Sequence, residues 1–567
     1  MAPPATSLDE LLAAHDPAPH TPLPLTGPAY SHVHANWAGS FWSRPELHLA
    51  PRSEADIQRI VTLAARLRRR IVVVGAAHSP GPLTLSCGWV VSLARFAAVL
   101  GVDEEARTVR AQAGVRLATL NGVVAERGLA LPNLGSIDAQ TLAGVLATGT
   151  HGSSLAHGLL AENVVSLRIC LSNAQIVTCS RSENAELFRA ALVSLGALGV
   201  VVEIEYRLAK ARRLAWHQCV KPLDYVIDNW DTGFWEQTEF IRVWWLPYIH
   251  RAVVWKAWET DEPLRPSQSG MITGALNYHM YHVLLWISHY IPRLVPWVDW
   301  FMFGLQYGFK FDGEESAVEE QRNALLLDCL YSQFVNEWAI PISKGPEAIR
   351  RLNAWLFGDD ATSGIPFSSK GIWVHSPIEI RVSDSTRKEA GPRPYLDFTC
   401  KTEPTMFLNA IMYRPFGLEP KCTKRYYQAF EWLMKDLGGR PHWAKNFTFV
   451  KGSDIQEMYG DDLKKWRKVR NEVDPDGVFV GDFIRRYLLD GGEQDPDKPV
   501  ERLKCEEVEM YTRQTRTRGT RWFGKQAYEI DTDTKLRSTF SSEESFGHIA
   551  GAEADVSELY EALSEDG

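Results

Sequence analysis

Cysteine pairs at short spacing are absent from this chain of 567 residues. None of its eight cysteines forms a C-x-x-C pair with another, and scattered cysteines in a large chain are typical of reduced, buried thiols. We therefore expect neither a disulfide framework nor a metal site. The chain also lacks a G-x-G-x-x-G motif after a strand with an acidic residue about 20 positions further on, which argues against a Rossmann enzyme that uses NAD.

An excess of basic residues is also missing, since the formal net charge is −9. Residues 541–567 contain eight acidic side chains and no lysine or arginine, so the rest of the chain is nearly neutral. This distribution gives no indication of a basic surface that would bind nucleic acid. The first 30 residues lack an apolar core segment and any arginine, which argues against a signal peptide or a mitochondrial presequence and favours an intracellular protein.

No apolar run in the chain is long enough to span a bilayer. The strongest candidate, residues 278–305, is dominated by aromatic and aliphatic side chains, with Arg293 and Asp299 as its formally charged residues. Pro292 and Pro296 interrupt it. Two interpretations stay open at this point, a buried helical pair and a set of helices lying in a membrane surface.

The most informative segment is a strand that ends in a loop of small residues carrying a histidine. Residues 53–70, with Ser53 as N-cap, predict an amphipathic helix, and residues 71–74 predict the strand that follows. A strand, a small-residue loop and polar donors together favour a backbone nest for phosphate oxygens. On its own, a histidine after a strand fits a packed side chain equally well. The residues assigned to a cofactor site here are Val74, Gly75, Ala76, Ala77, His78 and Ser79.

Two further segments favour the same kind of site. Residues 132–153 are dense in glycines and hydroxyls but apolar enough to be buried, so a planar, phosphate-bearing ligand could lie against their backbone. Residues 194–207 predict a glycine turn that leads into an alternating strand. The candidate cofactor-binding residues in these segments are Gly135, Ser136, Thr141, Gly144, Thr148, His151, Gly152, Ser153, Gly199 and Val200.

Four motifs together resemble those of the FAD-linked oxidases of the vanillyl-alcohol oxidase superfamily. They are the Gly-x-x-His-Ser loop at 75–79, Asn-Leu-Gly-Ser at 133–136, Ala-Thr-Gly-Thr-His-Gly at 147–152 and His-Trp-Ala-Lys at 442–445. The resemblance covers roughly residues 30 to 488 and is strongest to the aldonolactone oxidases, with the fungal D-arabinono-1,4-lactone oxidases nearest and the L-gulonolactone oxidases as relatives. The loop departs from the family at residues 76 and 77, where a second glycine or serine is usual.

The residues and the resemblance together predict an α+β protein of two domains. Residues 1–30 are expected to be a loose leader, residues 31–208 the FAD-binding domain, residues 209–488 the substrate domain, and residues 489–567 a linker with an acidic, disordered tail. In the substrate domain, strands are predicted over 239–246, 252–257, 333–340, 378–382 and 407–413. Strands of this length with intervening helices favour a mixed, largely antiparallel sheet.

Glu379 and Arg381 are the main catalytic candidates. Alternate residues of a strand point to the same face, so the two side chains should lie together. Such a pair is frequently a surface cross-strand pair, but the Ile-Glu-x-Arg strand matches the catalytic pair of the family. The resemblance also implies that Lys445 places a cation near the flavin N1 and C2 carbonyl region, although a solvated lysine is the simpler interpretation. His151 and His442 are expected to be structural, with His151 holding its loop through backbone contacts.

The family implies FAD attached covalently through His78, since related plant dehydrogenases that hold FAD without a covalent bond have leucine there. It also implies oxidation at C2 of an aldono-1,4-lactone, D-arabinono-1,4-lactone first and L-gulono- or L-galactono-1,4-lactone as alternatives. O2 would accept the electrons, giving an ascorbate-type enediol and H2O2. Other readings are an oxidase of alditols or other polyols, a lactone dehydrogenase that reduces cytochrome c, and a catalytically inactive flavin-binding membrane protein.

Two further expectations rest on the resemblance. Related lactone oxidases are membrane-associated, which implies peripheral membrane contact through residues 278–305, at the mitochondrial outer membrane or the endoplasmic reticulum. Gly135 borders the region that O2 must reach in this family, and related dehydrogenases carry alanine there. The simpler explanation of Gly135 is a turn that needs a positive φ.

Overall fold

The computed structural model describes residues 8–18, 20–27, 30–267, 275–327 and 329–489, which belong to one compact unit. The predicted acidic tail lies outside the described residues except for Leu489. Part of the predicted loose leader is folded, because Leu8–His15 form a helix. Asp16 follows that helix and forms a two-pronged ion pair with Arg59, in which Nε and Nη2 donate over 2.8 and 2.6 Å. Both side chains are buried, so this pair fastens the segment to the body of the protein.

The N-terminal part of the body begins as the sequence predicts. The helix Glu54–Arg66 is capped by Ser53, whose Oγ accepts a hydrogen bond from the backbone N–H of Asp56 at 3.1 Å. The strand Ile71–Val74 follows at the expected position. It is the edge of a three-stranded parallel sheet in which Trp89–Ser92 is the central strand and Leu47–Leu49 the other edge.

A five-stranded antiparallel sheet completes this part of the chain. The predicted alternating strand is present, and its burial alternates along its length. The strands in sheet order are Ile176–Ser180, Val164–Cys170, Val200–Arg207, Thr108–Gln112 and Val99–Asp103. The helices here are Leu117–Ala125, Leu142–Ala147 and Ala185–Ala191. Short strand pairs join His34–Ala35 to Trp42–Ser43 and Leu129–Ala130 to Ala209–Lys210.

The second part of the body is built on one sheet of eight strands, called here the large sheet. In sheet order the strands are Glu314–Glu320, Arg213–Pro222, Arg251–Thr260, Phe240–Leu246, Ile378–Ser383, Thr405–Tyr413, Gln333–Pro341 and Arg440–Pro441. The pairings between neighbouring strands are antiparallel. The predicted α+β class and the antiparallel sheet are therefore confirmed, and the exact domain boundaries stay predictions.

Three strands of the large sheet were not predicted from the sequence. Glu314–Glu320 contains four glutamates in seven residues, a composition that does not indicate a strand, and it lies at the edge of the large sheet. Arg213–Pro222 has no simple polar and apolar alternation. Arg440–Pro441 is only two residues long.

Helices pack around the large sheet. They are Leu223–Asp228, Gln321–Ala324, Gly345–Leu356, Asp360–Ser363, Thr423–Asp436, Gly452–Val473 and Asp482–Leu488. Residues 278–305 fall in two more helices, Ala275–Tyr290 and Val295–Tyr307, called here the helix pair. Its inner side, including Tyr281, Leu285 and Phe303, is buried against the large sheet.

The outer side of the helix pair is exposed, so the predicted helical pair is only half-buried. The exposed large apolar residues of this surface are Leu276, Val283, Trp286, Tyr290, Ile291, Trp297 and Trp300. Among the described residues, no helix combines the length and the apolar character needed to cross a bilayer.

The cysteines correct one expectation. Cys87 is disulfide-bonded, so the expectation of reduced thiols is wrong for this residue. The thiols of Cys170, Cys179, Cys219, Cys329, Cys400 and Cys422 are not in disulfide bonds.

Candidate active site

One row of side chains on the large sheet contains two carboxylates. Glu379 lies directly opposite Asn409 on the neighbouring strand, and Asn409 lies opposite Glu337 on the next. Directly opposite residues of antiparallel strands project from the same face, so the three side chains form a polar row in a mainly apolar surface. The Nδ2 of Asn409 donates to Oε2 of Glu379 at 3.4 Å.

Glu337 is the centre of this site. Its side chain is fully buried, and its Oε1 accepts a hydrogen bond from Nη2 of Arg381 at 2.7 Å. Its Oε2 lies 3.1 Å from Nζ of Lys445, and Nε2 of His151 lies 3.0 Å from Oε1. One carboxylate thus brings together side chains from three distant parts of the sequence, including both predicted catalytic cations.

The charges around Glu337 determine its protonation. Burial raises the pKa of Glu337, but the charges of Arg381 and Lys445 and the hydrogen bond from His151 outweigh it, so the pKa lies well below its usual value. Burial lowers the pKa of Arg381, and the charges of Glu337 and Glu379 more than restore it. Glu337 and Arg381 are therefore both charged at neutral pH.

Glu379 and Arg381 lie as the strand alternation predicts. Oε2 of Glu379 is 3.3 Å from Nε of Arg381, and both residues are buried, at 6% and 5% exposure. The alternative of a surface cross-strand pair is therefore wrong. Lys445 is not a freely solvated lysine either, because it is ion-paired with Glu337 and only 20% of its side chain is exposed.

His151 and His442 complete the buried cluster. Burial and the charge of Arg381 lower the pKa of His151, and burial lowers that of His442 well below its usual value. The neutral ring of His151 stacks on Phe407 at 3.5 Å, with Nδ1 2.9 Å from the carbonyl of Gly152. Nδ1 of His442 accepts from the backbone N–H of Ala444 at 3.1 Å.

Ligand atoms of His151, Glu337 and His442 lie within 4.8 Å of one another, a spacing that a metal ion could use. Glu337, however, already contacts two cationic side chains. A metal ion would add a third positive charge to the same carboxylate, so we interpret this group as a hydrogen-bonded cluster rather than a metal centre.

The sequence analysis did not find Glu337 or Arg242. Both lie inside strands that were predicted correctly, and each is the one charged residue of its strand. A lone charge in an otherwise buried strand is expensive unless it is paired, and that signal could have identified both residues.

The His78 loop is packed tightly at its beginning. A Cβ added to Gly75 would lie 2.0 Å from Oγ1 of Thr141, so only glycine fits there. Ala77 has a φ of 52°, in the left-handed region. The ring of His78 stacks on that of Trp37 at 5.6 Å, and burial lowers the pKa of His78 to about 4. Nδ1 of His78 is buried and has no hydrogen-bond partner among the described residues.

The same loop contacts the segment that carries Lys445. The carbonyl of Pro80 accepts hydrogen bonds from Nδ2 of Asn446 at 3.0 Å and from Nδ2 of Asn36 at 2.9 Å. The N–H of Gly81 donates to the carbonyl of Ala444 at 3.3 Å. Nδ2 of Asn36 also lies 3.5 Å from the carbonyl of Ser79. These bonds place the His78 loop beside the residues that flank Lys445.

Thr141, Gly144 and Thr148, which were predicted to bind the cofactor, are joined by hydrogen bonds within one short segment. The side chain of Thr141 caps the helix Leu142–Ala147 by accepting from the N–H of Gly144 at 3.3 Å, and Oγ1 of Thr148 donates to the carbonyl of Gly144 at 3.0 Å. Gly135 does not have a positive φ, so the explanation by a left-handed turn is wrong. A Cβ added to it would lie 2.9 Å from Cγ2 of Thr150.

Ser153 connects the N-terminal part of the body to the large sheet. Its hydroxyl donates to the carbonyl of Ile241 and accepts from the N–H of Val382 at 3.2 Å. Ser136 makes a second connection, since its carbonyl accepts from the N–H of Leu327 at 2.8 Å. A Cβ on Gly152 would lie 2.2 Å from Oδ1 of Asn133, so glycine is required there.

Gly199 and Val200 lie at the start of their predicted strand. Gly199 has a φ of 149°, and Val200 pairs with Cys170. The contacts described for these two residues do not reach the His78 loop, so their assignment to the cofactor site stays a prediction.

Comparison with known proteins agrees with this arrangement. The model of the D-arabinono-1,4-lactone oxidase family matches residues 204–487, and that of the FAD binding domain matches residues 45–180. A Neurospora crassa protein named "Putative D-arabinono-1,4-lactone oxidase" is 47% identical over 84% of this chain and 89% of its own. The D-arabinono-1,4-lactone oxidase of Yarrowia lipolytica is 38% identical over 79% of this chain and 95% of its own.

A solved cholesterol oxidase of Brevibacterium sterolicum has the same fold. It superimposes with a TM-score of 0.68 at 15% sequence identity, over 82% of this chain and all of the other. The predicted architecture of an FAD-binding domain beside a sheet domain is thereby confirmed. On the family match and the identity to its relatives, this chain belongs to the D-arabinono-1,4-lactone oxidase family.

Proposed function

We propose that this protein is an FAD-dependent oxidase that converts an aldono-1,4-lactone, D-arabinono-1,4-lactone in the first place, to an ascorbate-type enediol with O2 as acceptor and H2O2 as second product. The observation that carries the proposal is the buried Glu379–Arg381 pair, held by Glu337 on the face of the large sheet that also contacts His151.

The side chains of the pair suit the oxidation of a hydroxyl-bearing carbon. Oε1 of Glu379 is buried without a hydrogen-bond partner in the described residues, so it is available to accept the proton of a substrate hydroxyl. Arg381 places a fixed positive charge beside the oxygen on which negative charge develops. Bound FAD would supply the acceptor for the hydride from C2. Glu337 orients Arg381 and Lys445 rather than transferring protons, because its Oε1 accepts a hydrogen bond from Arg381 and its Oε2 is ion-paired with Lys445.

Residues of the N-terminal part suit the cofactor. The unpartnered Nδ1 of His78 is available for a covalent bond. The close contacts of Gly75 with Thr141 and of Gly152 with Asn133 hold the two predicted cofactor-binding loops in place. Lys445, which neighbours the His78 loop, would supply positive charge to that side of the site.

The purified protein provides the first test. It should be yellow, lose its colour when lactone is added without oxygen, and form H2O2 when oxygen is admitted. A panel of aldonolactones and alditols with H2O2 detection separates the lactone oxidase from a polyol oxidase, and added cytochrome c tests for the dehydrogenase. A yellow protein that no lactone bleaches would reject the proposal.

The FAD is expected to be bonded covalently to His78. Its buried Nδ1 lacks a partner, and the stacked ring of Trp37 limits how the imidazole can turn. Acid-precipitated wild-type protein should therefore stay yellow and fluoresce on a denaturing gel, whereas His78→Ala should lose that fluorescence completely. His34→Ala is the matched control, because His34 is also buried but bonds to Thr84 instead. Flavin that washes out of acid-treated wild-type protein would contradict the covalent bond.

Gly135→Ala is expected to slow the reaction with O2 selectively. The added methyl group would lie 2.9 Å from Cγ2 of Thr150, so that side chain has to shift. The backbone at Gly135 does not have a positive φ, so alanine can adopt its conformation and the variant should fold. Bleaching by lactone should continue, while the rate at which O2 restores the colour should fall at least about tenfold, equivalent to about 1.4 kcal/mol of barrier. Gly122→Ala is the control, since nothing lies within 4 Å of a Cβ there. Equal reoxidation of both variants would remove Gly135 from the oxygen route.

We also propose that the exposed side of the helix pair rests on a membrane surface, at the mitochondrial outer membrane or the endoplasmic reticulum. Three exposed tryptophans, Trp286, Trp297 and Trp300, lie on it, and tryptophan favours the boundary between lipid and water.

Sedimentation with phospholipid vesicles tests this contact. The double variant Trp286→Ser and Trp297→Ser should bind vesicles at least about tenfold more weakly, because each aromatic side chain buried at the interface contributes apolar area. Trp258→Ser is the control, since Trp258 is 41% exposed on a strand of the large sheet outside the helix pair. Equal binding by the double variant, or none by the wild type, would reject the proposal.

A further inference from the structure

Arg242 is a buried cation on the same face of the large sheet as Glu379 and Arg381. The strand Phe240–Leu246 pairs with Ile378–Ser383, with Trp244 opposite Glu379 and Val243 opposite Ile380. Arg242 comes two residues before Trp244 on the strand, so its side chain projects from the same face as those of Trp244 and Glu379. Arg242 is only 1% exposed, so its charge is taken almost completely out of water.

The contacts of Arg242 do not compensate that charge. Its Nη2 donates to the carbonyl of Leu325 at 2.7 Å, and its Cζ lies 5.3 Å from the centre of the ring of Trp255. Its Nε has no hydrogen-bond partner, and the ion pairs of the described residues do not include Arg242. Burial lowers the pKa of Arg242 to about 10, an effect that the charge of Glu379 opposes and that of Arg381 reinforces.

The site as a whole therefore carries an excess of positive charge. Three cationic side chains, those of Arg242, Arg381 and Lys445, face two carboxylates, those of Glu337 and Glu379. His151 and His442 add none, because burial keeps both neutral. An unpaired buried charge is costly to keep, so a site that retains one is suited to an anion.

We propose that Arg242 is the specificity-determining residue that binds the C1 carbonyl oxygen of the lactone and stabilises the enediolate formed after oxidation. The inference rests on the proposed function. It adds a physical reason why the enzyme would bind lactones in preference to polyols. Bound FAD would accept the hydride from C2, and Glu379 would accept the proton of the C2 hydroxyl. Transfer of the C3–H proton of the resulting 2-keto lactone to the C2 oxygen gives an enediol. Ionisation of its C3 hydroxyl gives an enediolate whose charge is shared between the C3 and C1 oxygens. A polyol has no carbonyl at C1 and would leave Arg242 without a partner.

Ligand binding to the oxidised holoenzyme tests this without turnover. The probes are ascorbate, an enediolate lactone, and 1,4-anhydroarabinitol, a ring of the same kind in which a methylene replaces the carbonyl. Dissociation constants come from the change in flavin absorbance on titration without oxygen. Arg242→Met should bind ascorbate at least about 30-fold more weakly, because a charge-assisted contact is lost, and the anhydroalditol within about threefold of wild type. Arg242→Lys should recover most of the ascorbate affinity.

Arg59→Met controls for the loss of a buried arginine away from the site, and its affinities should equal those of wild type. Equal weakening of both probes by Arg242→Met would show general damage to the pocket and overturn the proposal. Loss of flavin from both Arg242 variants would make the residue structural and overturn it as well. If lactone bleaches the wild type while the Arg242 variants bind ascorbate normally, this inference fails and the proposed function stands.

Discussion

Replacing Arg381 by alanine, or Glu379 by glutamine, is expected to lower turnover of the lactone by at least about 100-fold, the size associated with losing a positioned proton acceptor or a preorganised charge. Glu379 offers the free carboxylate oxygen of the site, and Arg381 holds that carboxylate at 3.3 Å. The measurement is the steady-state rate of H2O2 formation per mole of bound flavin, so that a loss of cofactor is not counted as a loss of catalysis.

An ion pair between residues that directly precede two strands of the large sheet provides the control. Arg212 and Glu239 form a close ion pair with side chains 18% and 23% exposed. Arg212→Ala and Glu239→Gln should leave turnover per flavin within about twofold of wild type, because the ion pairs of Arg212 and Glu239 do not include Glu337, Glu379 or Arg381. Near-normal turnover of both Glu379→Gln and Arg381→Ala would show that the buried pair only supports the fold.

The local features of the site could be predicted because they depend on short-range rules. Alternation along a strand places Glu379 and Arg381 on one face, and the structure has them in contact. A capped amphipathic helix followed by an apolar strand predicts the approach to His78, and both elements occur within a few residues of the expected positions. These rules need only the residues next to one another in the chain.

The remaining features depend on pairings between distant segments. Glu337 meets Arg381 only because the strand Thr405–Tyr413 lies between their two strands, and no sequence spacing encodes that order. Trp37, near the start of the predicted FAD-binding domain, stacks on His78, about 40 residues further along the chain. The same is true of Asn36 and Asn446, which reach one carbonyl, that of Pro80, from opposite ends of the body.

The position of Glu337 also explains how a buried site can hold two cations close together. Lys445 and Arg381 both approach this one carboxylate, so their mutual repulsion is offset where they meet. The carboxylate thereby connects the loop beside His78 to the strand of Glu379, since Lys445 neighbours the former and Arg381 belongs to the latter. Loss of its charge should affect the stability of the fold before any chemistry is considered.

Glu337→Gln is therefore expected to lower the free energy of unfolding at pH 7 by about 3–5 kcal/mol, the range seen when one partner of a buried ion pair is removed. The pKa of Glu337 is depressed in the folded protein, so its stabilising contribution is complete above the ordinary carboxyl pKa of 4.5 and disappears as the pH falls towards the folded value. Urea unfolding should therefore show a smaller difference between variant and wild type at pH 4 than at pH 7. Glu347→Gln, in an exposed pair with Lys344, should cost less than about 1 kcal/mol at either pH. A Glu337→Gln cost as small as that of the control, or one that grows in acid, would contradict an ionised Glu337 at the centre of the site.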